Sequence, residues 1–422
     1  MDNPNNSSSP TPELRRSLNL PLIVLYGLGT TIGGGIYVLV GRIAARAGML
    51  APLSFVGAAL LISFTALTYA ELSSRYPRCA GQAIYVEKGF GRKDLATLVG
   101  LLVILNGVVS SAALSDGFVG YFQTLLPVPT WLAIIGVTIV LGLLASWGIS
   151  ESVILASVIT VIEVGGLLII IWVGRDEFST LAARSHELVP TFESSVWIGI
   201  LSGSFLAFYA FIGFEDMVNV AEEIKNVEKT LPVAIILTLI ITGLVYVAVS
   251  LVAVLSVAPQ TLGESTAPLS LIYETKTKED ATLISIISIF AVLNGALIQI
   301  IMAARVLYGM SRNNMMPDGL KFLGDVHPRT QTPIKATFAI ILLICILALG
   351  FSIEILAETT SLIILVIACL VNGALLRLKL TAPAHQTSAG LVVPIWIPAL
   401  GMIVSFSFAA MVLVDLVKPF GG

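Results

Sequence analysis

The chain has 422 residues, of which 56% are hydrophobic and only 12% are charged, and its mean hydropathy is +0.96. Globular domains usually carry about 25% charged residues, so this composition excludes a soluble protein of this length. A formal net charge of −3 argues against nucleic acid as a partner, and three widely spaced cysteines give no disulfide or zinc framework.

Residues 1–18 are polar and low in complexity, and they predict a disordered cytoplasmic tail instead of a cleaved signal peptide. After this tail, eleven segments have the apolar content that a membrane-spanning helix needs, which is about 20 residues each. The sequence therefore predicts an all-α polytopic membrane protein. In chain order, spans 1 to 11 are predicted at 20–46, 51–74, 95–122, 130–147, 152–174, 195–222, 231–257, 281–311, 334–351, 354–376 and 394–417.

The distribution of Lys and Arg predicts the orientation of these spans. With a cytoplasmic N-terminus, 16 of the 23 Lys and Arg residues fall on the inner side and seven on the outer side. This bias favours a multi-pass protein of the cell (plasma) membrane whose N-terminus is cytoplasmic. Eleven crossings would leave the C-terminus outside.

Two of the predicted spans look broken. Span 1 contains T-T-I-G-G-G-I-Y, with Gly33, Gly34 and Gly35, and span 6 contains F-Y-A-F-I-G-F-E-D, in which Gly213 precedes two acids. Because the breaks lie an odd number of spans apart, the two halves would have opposite topology, and such paired breaks point to a transporter site at the bilayer midplane. Unwound turns offer N–H groups for a carboxylate and carbonyls for an ammonium, as a zwitterionic amino acid requires.

Four sequence motifs resemble those of the amino acid–polyamine–organocation superfamily: G-L-G-T-T-I-G-G-G-I-Y-V-L-V-G (27–41), Y-A-E-L-S-S-R-Y-P-R-C-A-G-Q-A-I-Y-V (69–86), F-Y-A-F-I-G-F-E-D with A-E-E-I-K-N-V-E-K-T-L-P (208–232), and A-A-R-V-L-Y-G-M-S-R-N-N-M-M-P (303–317). The resemblance implies a LeuT-like transporter with five-plus-five inverted repeats and alternating access. Residues 19–175 would form the first repeat and 194–380 the second, and 391–422 would hold an extra C-terminal transmembrane helix.

The resemblance also implies a substrate site at the two breaks. The substrate carboxylate would be held by the backbone N–H groups of Gly33, Gly34 and Gly35. The substrate amino group would be held by the carbonyls of Thr31, Tyr209 and Ile212. Asn106 in span 3 matches a polar position of the pocket, and Glu215 matches an acidic position tied to gating or protonation.

The chain departs from the family pattern at three places. Many members have twelve helices, Val227 replaces a proline that is usual in the inner loop, and Glu163 stands in the middle of span 5, where several proton-coupled members carry a lysine. Glu163 is the only charged residue of span 5. A charge at the bilayer centre is costly and often marks an ion or proton path, although a neutral packing role is the alternative.

The leading hypothesis is therefore a secondary active transporter, a symporter or antiporter, for amino acids. Protons or substrate exchange would drive it, with sodium as a weaker possibility, and no cofactor is expected. A polyamine or organic-cation carrier of the same fold is the alternative. A channel and an amino-acid sensor remain open, and an enzyme is not predicted because the spans contain no nucleophile or metal cluster. The run A-E-E-I-K-N-V-E-K (221–229) is interpreted as a solvated inner loop.

Overall fold

The computed structural model of the chain describes residues 16–125, 127–147, 149–265, 267–351, 353–381 and 390–417. In this part of the chain the regular structure is helical, apart from an isolated parallel bridge between Leu18 and Ile224. The α-helices, numbered in chain order, are α1 Leu20–Ala47, α2 Ala51–Arg75, α3 Gly81–Phe90, α4 Lys93–Leu125, α5 Thr130–Trp147, α6 Ile149–Val173, α7 Glu177–Arg184, α8 Ser194–Ala210, α9 Val227–Ser256, α10 Pro259–Glu264, α11 Pro268–Thr277, α12 Thr282–Arg312, α13 Ile334–Gly350, α14 Ile353–Thr381 and α15 Trp396–Val417. Four 3-10 segments lie between them, at Gly48–Leu50, Ser185–Leu188, Phe214–Glu223 and Asp318–Gly324.

A long helix lies at each of the eleven predicted spans, and these helices are α1, α2, α4, α5, α6, α8, α9, α12, α13, α14 and α15. By length and composition, eight helices in the described residues can cross a membrane, and three more apolar helices are shorter. The prediction of an all-α polytopic membrane protein is therefore confirmed. Eleven complete crossings stay a prediction.

Four short helices, α3, α7, α10 and α11, were not predicted from the sequence. Each lies between two long helices, and α7 and α10 have only eight and six residues. Span 6 was predicted to be broken, and it is: α8 ends at Ala210, and a 3-10 segment, Phe214–Glu223, continues after the turn at Gly213.

The long helices pack closely because small residues let their backbones approach. On α4, a Cβ atom at Gly107 would lie 2.9 Å from Met302 Cε and 3.0 Å from Ala303 Cβ of α12. In contrast, α5 and α13 expose large apolar side chains such as Leu143 and Phe338. Polar lipid-facing surface is costly in a bilayer, so the exposed apolar side chains of α5 and α13 suit contact with acyl chains. Helices α1 and α12 form the interior of the molecule.

One face of the molecule joins the start of α1 to the end of the segment Phe214–Glu223. The amide of Leu18 donates to the carbonyl of Glu223 at 3.0 Å, and the amide of Lys225 donates to the carbonyl of Leu18 at 2.9 Å. We name this face, which also carries the end of α12 at Arg312, the inner face, after the predicted cytoplasmic position of the N-terminus.

A buried carboxylate ties three segments together near the inner face. Glu71 of α2 is fully buried and accepts hydrogen bonds at 2.8 Å from Lys379 Nζ of α14 and from the amide of Val393, which precedes α15. It also forms an ion pair with Arg75 one turn along α2. Removing Glu71 from this cluster would leave the largely buried Lys379 without its anionic partner, which is strongly destabilising.

Candidate functional site

The first break lies inside α1. Gly33 has φ 24° and ψ −139°, which interrupts the helical geometry. Positive φ of this kind is accessible to glycine at little cost, so the sequence G-G-G permits an unwound turn that other residues would resist. Gly35 follows the break, whereas the surroundings of Gly34 lie outside the described part of the chain.

The second break is the turn between α8 and the 3-10 segment that follows. Gly213 adopts φ 130° and ψ −25°, and its amide donates a 2.8 Å hydrogen bond to Glu215 Oε2. This carboxylate therefore caps the amide that the interrupted helix leaves without a carbonyl partner.

The two breaks touch each other. A Cβ atom on Gly213 would lie 2.6 Å from the carbonyl oxygen of Thr30, and a Cβ atom on Gly35 would lie 3.2 Å from the Cα atom of Ala210. The structure thus brings together two stretches of non-helical backbone that are about half the chain apart. Main-chain groups from both interrupted helices therefore meet at one place.

A tyrosine from α9 joins the two breaks by hydrogen bonding. The hydroxyl of Tyr246 lies 2.9 Å from the carbonyl oxygen of Thr31 and 2.8 Å from that of Ala210. Both carbonyls come from turns where the helix is interrupted, and Tyr246 is fully buried. A hydroxyl has one proton to donate, so it is shared between the two acceptors.

The other residues proposed to bind substrate are distributed unevenly. Thr31 and Ile212 lie at the breaks, and the backbone of Tyr209 lies in the last turn of α8, although its side chain is outside the described part. Asn106 is buried on α4, which packs along α12 and α14 instead of along α1 or α8. Its Oδ1 atom has no hydrogen-bond partner among the described residues.

Glu163 lies in α6 beside the first break. Its side chain is fully buried, and neither carboxyl oxygen has a hydrogen bond of normal geometry in the described part of the chain. The hydroxyl of Tyr37, four residues beyond Gly33, donates to the Glu163 carbonyl at 2.7 Å. Asn294 of α12 bonds Thr160 of α6 at 2.9 Å. The acid is therefore held where α1, α6 and α12 meet.

The two acids after the second break, Glu215 and Asp216, are both buried. Glu215 is 6% exposed and Asp216 is 2% exposed. Asp216 accepts a 2.6 Å hydrogen bond from Gln299 Nε2 of α12. Glu215 borders a small cavity of about 20 Å³ between α2, the second break and α14, which has room for about one water molecule.

A buried ion pair lies between the breaks and the inner face. Arg305 Nε of α12 is 3.5 Å from Glu223 Oε1, and both side chains are fully buried. The interpretation of 221–229 as a solvated loop is therefore wrong for Glu223, which is covered by α12. The sequence did contain a signal for this pair, because Arg305 is a charged residue inside the predicted span 8, and such residues usually have a buried partner.

The family profile described as amino acid permease matches residues 19–420, which is nearly the whole chain. This chain belongs to that family. Among its relatives is "Cationic amino acid transporter 4, vacuolar" of Arabidopsis thaliana, 30% identical over 83% of the chain and 61% of the relative. "Branched-chain amino acid permease BcaP" of Bacillus subtilis (strain 168) is 30% identical over 79% of the chain and 74% of the relative. "Methylthioribose transporter" of the same organism is 28% identical with the same coverage. The chain spans about three fifths of the length of the plant relative.

Proposed function

We propose that the chain is a secondary active transporter that moves amino acids across the membrane by alternating access. The observation that carries this proposal is the direct contact between the two breaks, at Gly213 and Thr30. Paired interrupted helices in inverted halves form substrate sites in secondary transporters. The printed names of the relatives, which include amino acid transporters and a permease, support the same class. A carrier of this kind performs no covalent chemistry, so no enzyme activity is proposed.

The unwound backbone supplies the chemistry for a zwitterion. In the proposed site, the N–H groups of Gly33, Gly34 and Gly35 bind the carboxylate, and the carbonyls of Thr31, Tyr209 and Ile212 bind the ammonium. The carbonyl of Thr31 already accepts the hydroxyl of Tyr246. A substrate ammonium would therefore replace the Tyr246 hydroxyl at this carbonyl or share the carbonyl with it. Because the same hydroxyl also bonds Ala210, substrate binding at the first break would affect the second break.

Coupling is assigned to Glu163, with protons as the driving ion or with exchange between substrates. A neutral, protonated carboxyl is compatible with its buried position, whereas a carboxylate there needs water or a cation. Loading and release of a proton would then favour closed and open arrangements of α1 against α6. Glu215, which holds the second break through the Gly213 amide, is proposed to act in gating, and Asn106 is proposed to line the pocket.

An organic cation or polyamine is the second candidate substrate. The observation that favours it is the pair of buried acids at the second break. Glu215 Oε1 has no hydrogen-bond partner in the described residues, so it has capacity for a second ammonium group. A cationic amino acid would satisfy both the backbone site and this acid.

We further propose that 19–175 and 194–380 are the two inverted repeats, that 391–422 adds one helix, and that the chain lies in the cell membrane with its N-terminus in the cytoplasm. The excess of Lys and Arg on the inner side supports this orientation. A tag before Pro12 should resist a membrane-impermeant reagent applied to intact cells, and a tag after Gly422 should react. Reaction of both tags, or of neither, would contradict eleven crossings.

Uptake into proteoliposomes tests the substrate class. Labelled leucine, arginine and putrescine are compared, each with and without a proton or sodium gradient. Saturable uptake of an amino acid that is not inhibited by its decarboxylated analogue supports the backbone carboxylate site. Equal inhibition by the decarboxylated analogue would support the organic-cation carrier and refute the assignment of the three glycines.

The variant Glu163→Gln tests the coupling. We expect substrate exchange to persist, while accumulation driven by a gradient disappears and the pH dependence of uptake flattens. Glu228→Gln, at an exposed position in the first turn of α9, is the matched control and should behave as the wild type. Accumulation by Glu163→Gln with an unchanged pH profile would exclude the proton role.

A further inference from the structure

A basic cavity opens on the inner face, away from the two breaks. It lies between the end of α12, the 3-10 segment Asp318–Gly324 and the start of α13, and its volume is about 890 Å³. Three cationic side chains border it, one from each of these elements: Arg312, Lys321 and Lys335. Nothing in the proposed transport cycle uses these residues.

The charges around the cavity do not cancel. Lys335 Nζ is 2.6 Å from Asp325, and Lys321 Nζ is 2.7 Å from Asp318, with both lysines about half exposed. Arg312 has no acidic partner within 4 Å in the described part of the chain, and its guanidinium lies 5.8 Å from the ring centre of Tyr308. The cavity therefore has a surplus of positive charge, and its two ion pairs are exposed enough to exchange partners at little cost.

The position of the cavity along the membrane normal follows from a contact between α5 and the loop that borders the cavity. Thr332 Oγ1, in the loop that precedes α13, donates a 3.0 Å hydrogen bond to the carbonyl of Ser146. The next residue, Trp147, ends α5 and is 67% exposed. Tryptophan at the end of a spanning helix prefers the headgroup region, so the cavity lies at the depth of the lipid headgroups.

The cavity also borders the acyl chains. On α13, Lys335 shares a helix face with Phe338, Leu342 and Ile346, which follow at three, seven and eleven residues, and these three apolar side chains are 54–68% exposed. Phe322, next to Lys321, is 49% exposed. The basic groups thus stand directly above an apolar stripe that faces lipid.

We propose that this cavity binds the headgroup phosphate of an anionic phospholipid from the inner-face leaflet. Arg312 can hold two phosphate oxygens in its planar fork, and the two lysines add point charges. The acyl chains of the same lipid lie along Phe338 and Leu342. Basic pockets between spanning helices bind anionic headgroups in this way. A free phosphate offers the same oxygens but leaves the apolar stripe unused.

Native mass spectrometry of the purified chain, with phosphatidylglycerol or phosphatidylcholine added, tests the proposal. The variant carries Arg312→Gln with Lys335→Gln. The matched control carries Arg92→Gln with Lys93→Gln, an exposed Arg and Lys outside the cavity, where Arg92 is likewise paired to an acid. Thermal unfolding in detergent verifies that both variants are folded.

We expect the wild type and the control to retain phosphatidylglycerol in preference to phosphatidylcholine. The cavity variant should bind phosphatidylglycerol about 30-fold more weakly, the loss expected when two cations beside one bound anionic headgroup are removed. Glycerol 3-phosphate at millimolar concentration should not displace the lipid. Equal retention by the cavity and control variants would overturn the proposal, and complete displacement by glycerol 3-phosphate would show a site for free phosphate instead.

Discussion

Replacing Gly213 with alanine tests the contact on which the proposed site depends. Its φ of 130° belongs to a region that other residues avoid, which costs about 1–3 kcal/mol. The new Cβ atom would also lie 2.6 Å from the carbonyl oxygen of Thr30, and it would meet backbone, which cannot rotate away. Overpacking adds a cost of similar size, so we expect the free energy of unfolding to fall by about 2–6 kcal/mol.

Two further variants separate these contributions. Gly33→Ala has the unfavourable φ but no atom within 4 Å of its Cβ, so it should cost less than Gly213→Ala. Gly136→Ala lies within α5, also without a neighbour, and should be neutral or stabilising by up to about 1 kcal/mol. The measurements are unfolding in detergent and amino acid uptake per folded molecule.

Uptake by Gly213→Ala should fall by about tenfold or more, because displacement of one break misplaces the donors and acceptors of the other. Gly136→Ala should transport as the wild type does. If Gly213→Ala unfolds and transports like Gly136→Ala, the two breaks are not in contact and the proposed site is wrong.

Three other perturbations follow from named contacts. Tyr246→Phe leaves two buried carbonyls without their donor and should lower the free energy of unfolding by about 1–3 kcal/mol, and unchanged unfolding and uptake would show that the hydroxyl is dispensable. Glu71→Gln removes the charge that Lys379 needs and should lower the free energy of unfolding by about 3–5 kcal/mol. The double variant Glu71→Gln with Lys379→Met should lose less stability than the sum of the two single variants. Strictly additive losses would contradict direct pairing of the two side chains. At the start of α7, Asp176 accepts a hydrogen bond from Lys276 of α11, which holds the pKa of that carboxyl below its usual value. This link is present above the usual carboxyl range and is lost as pH falls through the lowered pKa. Pepsin cleavage within the connection 174–193, which contains α7, should therefore set in at a lower pH in the wild type than in Lys276→Met, and identical pH profiles would exclude the link.

The long helices could be predicted from sequence because lipid and buried positions both select apolar residues. The predicted span 5, at 152–174, is close to α6, Ile149–Val173, for this reason. The short helix α3, Gly81–Phe90, was missed because its ten residues combine buried polar and apolar side chains, such as Gln82 and Tyr85, without the length of a span. Apolar content locates helices that cross a membrane and is a weak signal for those that do not.

The site could be predicted only where the backbone itself is unusual. The run of three glycines and the glycine before two acids indicated the two breaks from the sequence. The structure places the two breaks in contact. Tyr246 and Glu71 gave no signal, because a tyrosine in an apolar helix and an acid near a helix end are common. Their roles depend on partners far away in sequence, such as Lys379, 308 residues beyond Glu71. Only tertiary packing reveals such pairs.

The backbone bridge at Leu18 places an amide whose hydrogen exchange can be measured at the inner face. Any movement that separates the start of α1 from the end of the Phe214–Glu223 segment must break the hydrogen bond from the Lys225 amide to the Leu18 carbonyl. A bonded amide exchanges its hydrogen for deuterium only while it is open. The deuterium uptake of this single amide therefore reports how often this bridge opens, in a chain that carries no label and no mutation.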